Sequence, residues 1–348
     1  MARVLVLFSG SLASRVAGAL VQRHPEVDSV QLLHFRSPFA AETEEFRSVV
    51  REEWPGTILR TQSLKREYRR LVGPEAGPFS LRTACTQCRA LLISRAARYM
   101  ERIGAQYLVT GERLGRHGLD RPDLDRLAER HDVEGKVLRP LCYRSRQQPL
   151  DAWGTLDRPE VLRSVTDEEL GRRAAELGLR TDNNMGSCER CKLTVPGFGE
   201  RVANLFAEDG FTLNGLRLLD FAHYYKVEPG TKVVLAVDEE EKRELQNLFL
   251  PEDLRVYPST PHGPMALVRT EWEERTEAER RRIVEVAACI VATHASGGRA
   301  GSVPIYYRFE SDDETLLVHG TALRSAQELP ELFGVESMVL VPSELATA

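Results

Sequence analysis

The stretch Arg3–Phe8, RVLVLF, constrains the fold more than any other feature of the chain. A continuous apolar run of this length, without alternation, is what a strand buried on both faces requires, and such strands belong to parallel sheets. Ser9-Gly10-Ser11 then forms a turn, and Leu12 to Gln22 repeats apolar residues at helical spacing, with Leu12, Val16, Ala19 and Leu20 on one face. The pattern recurs. Ser29–Phe35, Thr57–Gln62 and Gln106–Thr110 read as further strands, Arg89–Ile103 as a helix, and Thr166 as the N-cap of a helix reaching Gly178. Strands alternating with helices predict an α/β fold with a parallel sheet covered on both faces. Ligands of such sheets bind in loops at the carboxyl ends of the strands. Here those loops are Ser9–Ser14, His34–Phe39 and Thr110–Arg116.

Past Phe211 the character changes. Lys232–Val237, Met265–Arg269, Val303–Phe309 and Thr315–His319 read as strands, the last two as a pair, and Glu239–Leu248 and Glu271–Ala295 as helices. This predicts a smaller α+β domain over residues 216–348 and a first domain over residues 1–215. The topology of the second domain does not follow from the pattern.

Two Cys-x-x-Cys pairs, Cys85/Cys88 and Cys188/Cys191, carry the chemistry. Each pair directs two thiols toward one centre, and zinc and iron–sulfur clusters both accept thiolates at this spacing. The pairs of a zinc finger or ribbon lie roughly 12–20 residues apart. These lie about a hundred apart, so a shared centre would join distant parts of the chain, as in an active site. A redox-active dithiol, or reduced core thiols, are the alternatives. Cys142 and Cys289 sit in apolar contexts and read as core.

Composition narrows the class. The 348 residues are 42% hydrophobic and 28% charged, as in soluble globular proteins. No apolar run approaches the roughly 18 residues of a membrane span. The N-terminal apolar run leads into a Gly/Ser turn and reads as a buried strand, not as a signal peptide. Six cysteines without a secretory signal fit a reducing cytoplasm better than a disulfide framework. A net charge of −5 excludes a global basic footprint for nucleic acid, though 47 Lys and Arg leave room for a local one.

The loop Ser9-Gly10-Ser11-Leu12-Ala13-Ser14 follows a strand and opens a helix, so its amides and hydroxyls suit phosphate. It is not a Walker A loop. It resembles the Ser-Gly-Gly-x-Asp-Ser loop of PP-loop ATP pyrophosphatases. Cys85-x-x-Cys88, then Thr110-Gly111-Glu112-Arg113-Leu114-Gly115-Arg116, Leu138-Arg139-Pro140-Leu141 and Cys191-Lys192-Leu193-Thr194 are similar, in that order, to the tRNA-thiolation branch of that superfamily. The similarity extends to 4-thiouridine synthase-like and two-thiouridine synthetase-like proteins with a C-terminal extension.

The resemblance implies a PP-loop nucleotide-binding domain. Its function would be ATP-dependent sulfur transfer, activating and thiolating a tRNA uridine or a related heterocycle with sulfur from a separate donor. It implies ATP at Ser9, Gly10, Ser11, Ser14, His34 and Gly111. It also implies a [4Fe–4S] cluster, with zinc as the alternative, on Cys85, Cys88 and Cys191, with Cys188 as a fourth ligand or a neighbouring thiol. Cys85, Cys88, Cys191 and Glu112 are the expected catalytic residues. His117, Arg113 and Arg116 are further site candidates, and a homodimer is an allowed assembly.

Two positions depart from the pattern: the second glycine is Ser11, and the aspartate expected to help hold Mg²⁺ is Ala13. Glu112 is the expected substitute ligand for Mg. The same departures leave open a degenerate domain that binds nucleotide or metal for a partner, and an ATP-independent, desulfidase-like enzyme.

Overall fold

The computed structural model describes residues 2–40, 44–64, 66–68, 79–115, 119–142, 165–181, 190–208, 212–260 and 262–340. Cys188, Arg116 and His117 lie outside them. The chain divides into two compact units, Met1–Thr194 and Val195–Thr347.

The first unit alternates strand and helix: β1 (Ala2–Leu7), α1 (Leu12–Gln22), β2 (Val27–Arg36), α2 (Glu44–Glu53), β3 (Ile58–Ser63), α3 (Leu81–Ile103), β4 (Tyr107–Thr110), α4 (Arg121–Glu129), β5 (Val137–Leu138) and α5 (Asp167–Glu176). The strands run in the order β3-β2-β1-β4-β5, and every pairing is parallel. The predicted parallel sheet is therefore present. β1 is central, and its Val4, Leu5 and Val6 are completely buried. Burial of each such side chain contributes roughly 1.5–3 kcal/mol. Val4, Val6 and Phe8 pack with Val16 and Ala17 of α1, Leu32 of β2, and Phe46 and Trp54. The order of the strands reverses at β1. The chain moves from β1 outward through β2 to β3, then returns to the other side of β1 for β4 and β5. The carboxyl ends of β1 and β4, paired at Leu7 and Thr110, flank the resulting crevice.

Two local features bear on the expected elements. Helix α3 begins at Leu81, capped by the Ser80 side chain, so Cys85 and Cys88 lie within a helix and not in a turn before one. At i and i+3 they still share a face. Helix α5 keeps its predicted start: Thr166 and Glu169 form a reciprocal capping box.

The second unit holds α6 (Phe198–Glu208), α7 (Leu213–Leu218), β6 (His223–Glu228), β7 (Thr231–Ala236), α8 (Glu239–Gln246), β8 (Leu254–Pro258), β9 (Met265–Arg269), α9 (Glu277–Ala295), β10 (Gly301–Phe309), β11 (Leu316–Ala322), α10 (Leu329–Phe333) and β12 (Glu336–Ser337). Its strands form an antiparallel sheet in the order β11-β10-β8-β9-β7-β6-β12. The apolar half of α9, with Ile283, Val286, Ala287 and Ile290, fills the core against Val233, Leu235, Val256 and Ile305. This helix starts at Glu277 behind a capping box of Thr276 and Glu279, after a separate 3₁₀ turn at Trp272–Glu274.

The division precedes the boundary expected near residue 215 because α6 is tied to elements C-terminal to it. Arg201 is fully buried and donates to the carbonyls of Leu219, Phe221 and Ala222 at 2.6–2.8 Å, and to Met338.

Candidate functional site

Four segments of the first unit line one pocket at the carboxyl edge of its sheet. They are Leu7 to Ser14, the first half of α3, Thr110 to Arg113, and Cys191 to Thr194. Phe35, Phe39 and Tyr68 supply an aromatic wall, with Phe39 and Tyr68 edge to face at 5.5 Å.

The serine loop is built by Gly10, whose φ of +85° turns the chain out of β1 into α1, a conformation glycine adopts without strain. Ser11 caps the helix, its hydroxyl accepting from the Ser14 amide at 3.2 Å. The Ser9 hydroxyl lies within hydrogen-bond reach of those of Ser11 at 3.0 Å and Ser14 at 3.3 Å. Ser9, Ser11 and Ser14 all line the pocket. The first turn of α1 carries no acidic residue, so no carboxylate of its own offsets the partial positive charge of the helix start.

Cys85, Cys88 and Cys191 line this same pocket. The first two are presented by α3. Cys191 precedes a short 3₁₀ turn, Lys192–Thr194, in which the Thr194 hydroxyl donates to the Cys191 carbonyl at 2.7 Å. The Lys192 amide donates to the Phe39 carbonyl at 2.8 Å, which docks the segment beyond β2. Earlier in the chain, Arg15 of α1, fully buried, pairs with Glu53 at 2.8 Å and reaches the carbonyl of Arg180.

Glu112 lies in the loop after β4, 6% exposed. Its Oε1 accepts from Arg89 at 3.2 Å; its Oε2 accepts from Arg139 Nε at 2.8 Å and from the Thr110 hydroxyl at 3.1 Å. Burial would raise this carboxyl, but Arg139, then Arg89, outweigh it and hold it below the usual value. Arg139 is fixed in turn by Asp125 at 3.1 Å and the Leu124 carbonyl at 2.7 Å. Arg113 lines the pocket beside Glu112 and pairs with Asp167 at 2.6 Å.

Of the residues expected from sequence, Ser9, Ser11, Ser14, Cys85, Cys88, Gly111, Glu112, Arg113 and Cys191 come together here. His34 does not line the pocket. Side chains alternate along β2, so Phe35 faces the pocket while His34 turns the other way. Its Nδ1 lies 2.9 Å from the Phe8 carbonyl, and its ring packs tilted against Phe46 with centroids 4.4 Å apart. Cys142 and Cys289 are buried as expected. The Cys142 thiol donates to the Glu112 carbonyl at 3.2 Å. Sequence reasoning missed Arg89 and the carboxylate-binding role of Arg139. The only signal for the latter was its place in Leu138-Arg139-Pro140-Leu141.

The pocket lining includes three soft sulfurs, the donor type that thiolate-ligated clusters and zinc take. Among the described residues no group of three or more His, Cys, Asp or Glu is gathered closely enough to hold an ion. Mg²⁺ fits poorly. Ala13 offers no oxygen, and both oxygens of Glu112 are committed to arginines and a hydroxyl. Among the described residues no helix is long and apolar enough to cross a membrane.

No protein-family model matches the chain, and no curated protein matches it. Among solved structures it is similar to a 4-thiouridine synthetase in complex with RNA and bound ATP. The identity is 23% and the TM-score 0.34, with 51% of this chain and 41% of that one covered. It is also similar to a predicted subunit of tRNA methyltransferase from Methanocaldococcus jannaschii, at 14% identity and a TM-score of 0.29, with 52% and 91% covered. The chain thus spans less than half the length of the first of these. Likeness at these scores carries no weight for substrate or activity.

Proposed function

We propose that this pocket binds ATP and activates a carbonyl oxygen of a heterocyclic base, most simply a tRNA uridine, for replacement by sulfur. One observation carries this proposal: the serine loop and three thiols, from segments far apart in sequence, line the same pocket at the point where the strand order reverses. A phosphate site alone would suit many nucleotide enzymes. Thiols beside it suit chemistry that joins phosphate activation to a soft nucleophile.

The base carbonyl oxygen attacks the α-phosphorus of ATP, and pyrophosphate leaves. Hydrosulfide-level sulfur adds at the activated carbon, the C–O bond breaks, AMP departs with that oxygen, and the sulfur's proton passes to solvent. The Ser9, Ser11 and Ser14 hydroxyls and the start of α1 bind the phosphates. Phe35, Phe39 and Tyr68 offer flat apolar surface to a ring and limit water at the reacting carbon. Cys85, Cys88 and Cys191 would hold an iron–sulfur cluster, which when bound supplies a site for sulfide; zinc is the alternative on the same thiols.

The test is anaerobic incubation of the full chain with ATP, tRNA and sulfide, following pyrophosphate, AMP and thiolated nucleoside. All three products are expected in equal amounts, and their absence from a metal-replete preparation would exclude the proposal. A second possibility, a domain that binds nucleotide without turning it over, is favoured by Ala13 lining the pocket where the resemblance calls for aspartate. It would show ATP binding with no pyrophosphate.

A further inference from the structure

We infer that this pocket neutralises its polyanionic ligand with arginine and not with a magnesium ion held by the protein. This rests on the nucleotide proposal above and concerns how that ligand is held.

A protein holds Mg²⁺ through one or two carboxylates, with water and phosphate oxygens completing an octahedron. Neither carboxylate position of this pocket supplies one. Position 13 is alanine, and it lines the cavity. Glu112 is the one carboxylate among the described lining residues. Its oxygens serve Arg89 on one side and Arg139 and Thr110 on the other. To reach a metal it would have to leave Arg139, whose side chain is 5% exposed and which Asp125 and the Leu124 carbonyl hold in place. That would break a buried ion pair and leave Arg139 with the partly exposed Asp125 as its countercharge, which is unfavourable.

The cations are better placed than the carboxylate. Arg89 and Arg113 both line the pocket, with side chains 19% and 9% exposed. Arg89 directly follows Cys88 on α3. Arg113 comes two positions after Gly111, whose backbone packs on the serine loop. Glu112 is shared between Arg89 and Arg139. The other carboxylates, Asp125 on Arg139 and Asp167 on Arg113, have side chains 41% and 89% exposed, so water screens them more than the Arg89 and Arg113 side chains that line the pocket. Guanidinium groups bind phosphate oxygens in pairs. In a pocket walled by Phe35, Phe39, Tyr68 and Leu193 their charge is screened less than at an open surface.

The test is calorimetric titration of the full chain with ATP, once in EDTA and once in excess Mg²⁺. The two affinities are expected to agree within about threefold. In EDTA, Arg89→Gln should weaken binding at least about tenfold, with Arg89→Lys recovering part of the loss. Ala13→Asp adds a negative charge beside the phosphates and should weaken binding in EDTA while making it respond to Mg²⁺. The comparison on the unaltered chain needs no variant to fold. Binding that requires Mg²⁺ overturns this inference and leaves the nucleotide proposal standing. Absence of ATP binding under both conditions overturns both.

Discussion

Gly111 and Ser14 approach so closely that a Cβ on Gly111 would lie 2.6 Å from the Ser14 amide nitrogen. The carbonyl carbon of Ala13 would be 2.7 Å away. Both neighbours are backbone, so no side chain can yield. The loop after β4 and the first turn of α1 are therefore seated directly on each other. Gly111→Val should separate them, lowering stability by more than about 2 kcal/mol and weakening ATP binding at least about tenfold. Thermal unfolding and calorimetry on the same preparation would check this, and a variant with unchanged melting and affinity would contradict the packing.

The thiols give a second prediction. Cys85→Ser, Cys88→Ser and Cys191→Ser should each abolish or sharply reduce metal content after anaerobic reconstitution with iron and sulfide. Each removes a donor from the same pocket. Cys289→Ser, in the buried half of helix α9 of the second unit, should retain it. Iron and sulfide analysis with absorption spectra distinguishes the two groups, and equal loading of all four variants would refute the thiol assignment.

Glu112 gives a third. Glu112→Gln removes a buried carboxylate shared by Arg139 and Arg89, and breaking such a buried pair typically costs about 3–5 kcal/mol, less where Asp125 still faces Arg139. The pH dependence has a definite sign. The folded carboxyl titrates below its ordinary value. Its contribution is therefore full above the ordinary carboxylate range and is lost as pH falls through the folded value. Acid unfolding of the unaltered first unit should set in below pH 4.5 and should be shallower in Glu112→Gln. Segment-resolved hydrogen exchange against pH reads both effects.

The second unit has its own acid limit. The His294 ring shares a hydrogen bond with the Tyr225 hydroxyl at 2.8 Å and meets the His223 ring at 4.6 Å. Burial, then His223, pushes His294 down to about 4, and burial lowers His223 as well. Unfolded histidine binds its proton near about 6.5, so between these values the unfolded chain holds more protons. Stability must then fall as pH drops from about 6.5 toward 4, by up to about 1.4 kcal/mol per pH unit for His294, and the lowered His223 acts in the same direction. His294→Gln can keep a hydrogen bond to Tyr225 without titrating, and it should flatten the slope. An unchanged slope would show that these rings do not set it.

Much of the first unit is legible in the sequence, and the exceptions have physical causes. The run Arg3–Phe8 announces β1, and Thr166 with Glu169 announces α5, because burial on two faces and reciprocal capping are local demands. The start of α3 is harder to read, because a Cys-x-x-Cys pair suggests a turn. Ser80, eight residues before Cys88, is the true cap. The capping box of Thr276 and Glu279 is present in the sequence but masked by the charged residues before it. His34 shows the limit of reading a strand end by proximity alone: one position of alternation moves it to the far face. The partnership of Glu112 with Arg139 joins residues separated by α4 and β5, and no local pattern encodes it. The Arg201 contacts that draw α6 into the second unit are equally non-local.

The reversal of strand order at β1 also bears on how the protein is made. Its pocket draws on the chain from Leu7 to Thr194, and synthesis proceeds from the N-terminus. The serine loop emerges first, yet the wall that faces it waits for α3, then for β4, and finally for Cys191. A nascent chain interrupted before that point holds thiols and a phosphate loop with no common enclosure. Loading with any ligand that needs both must then follow translation of the whole first unit, and a truncated product would be inert toward that ligand.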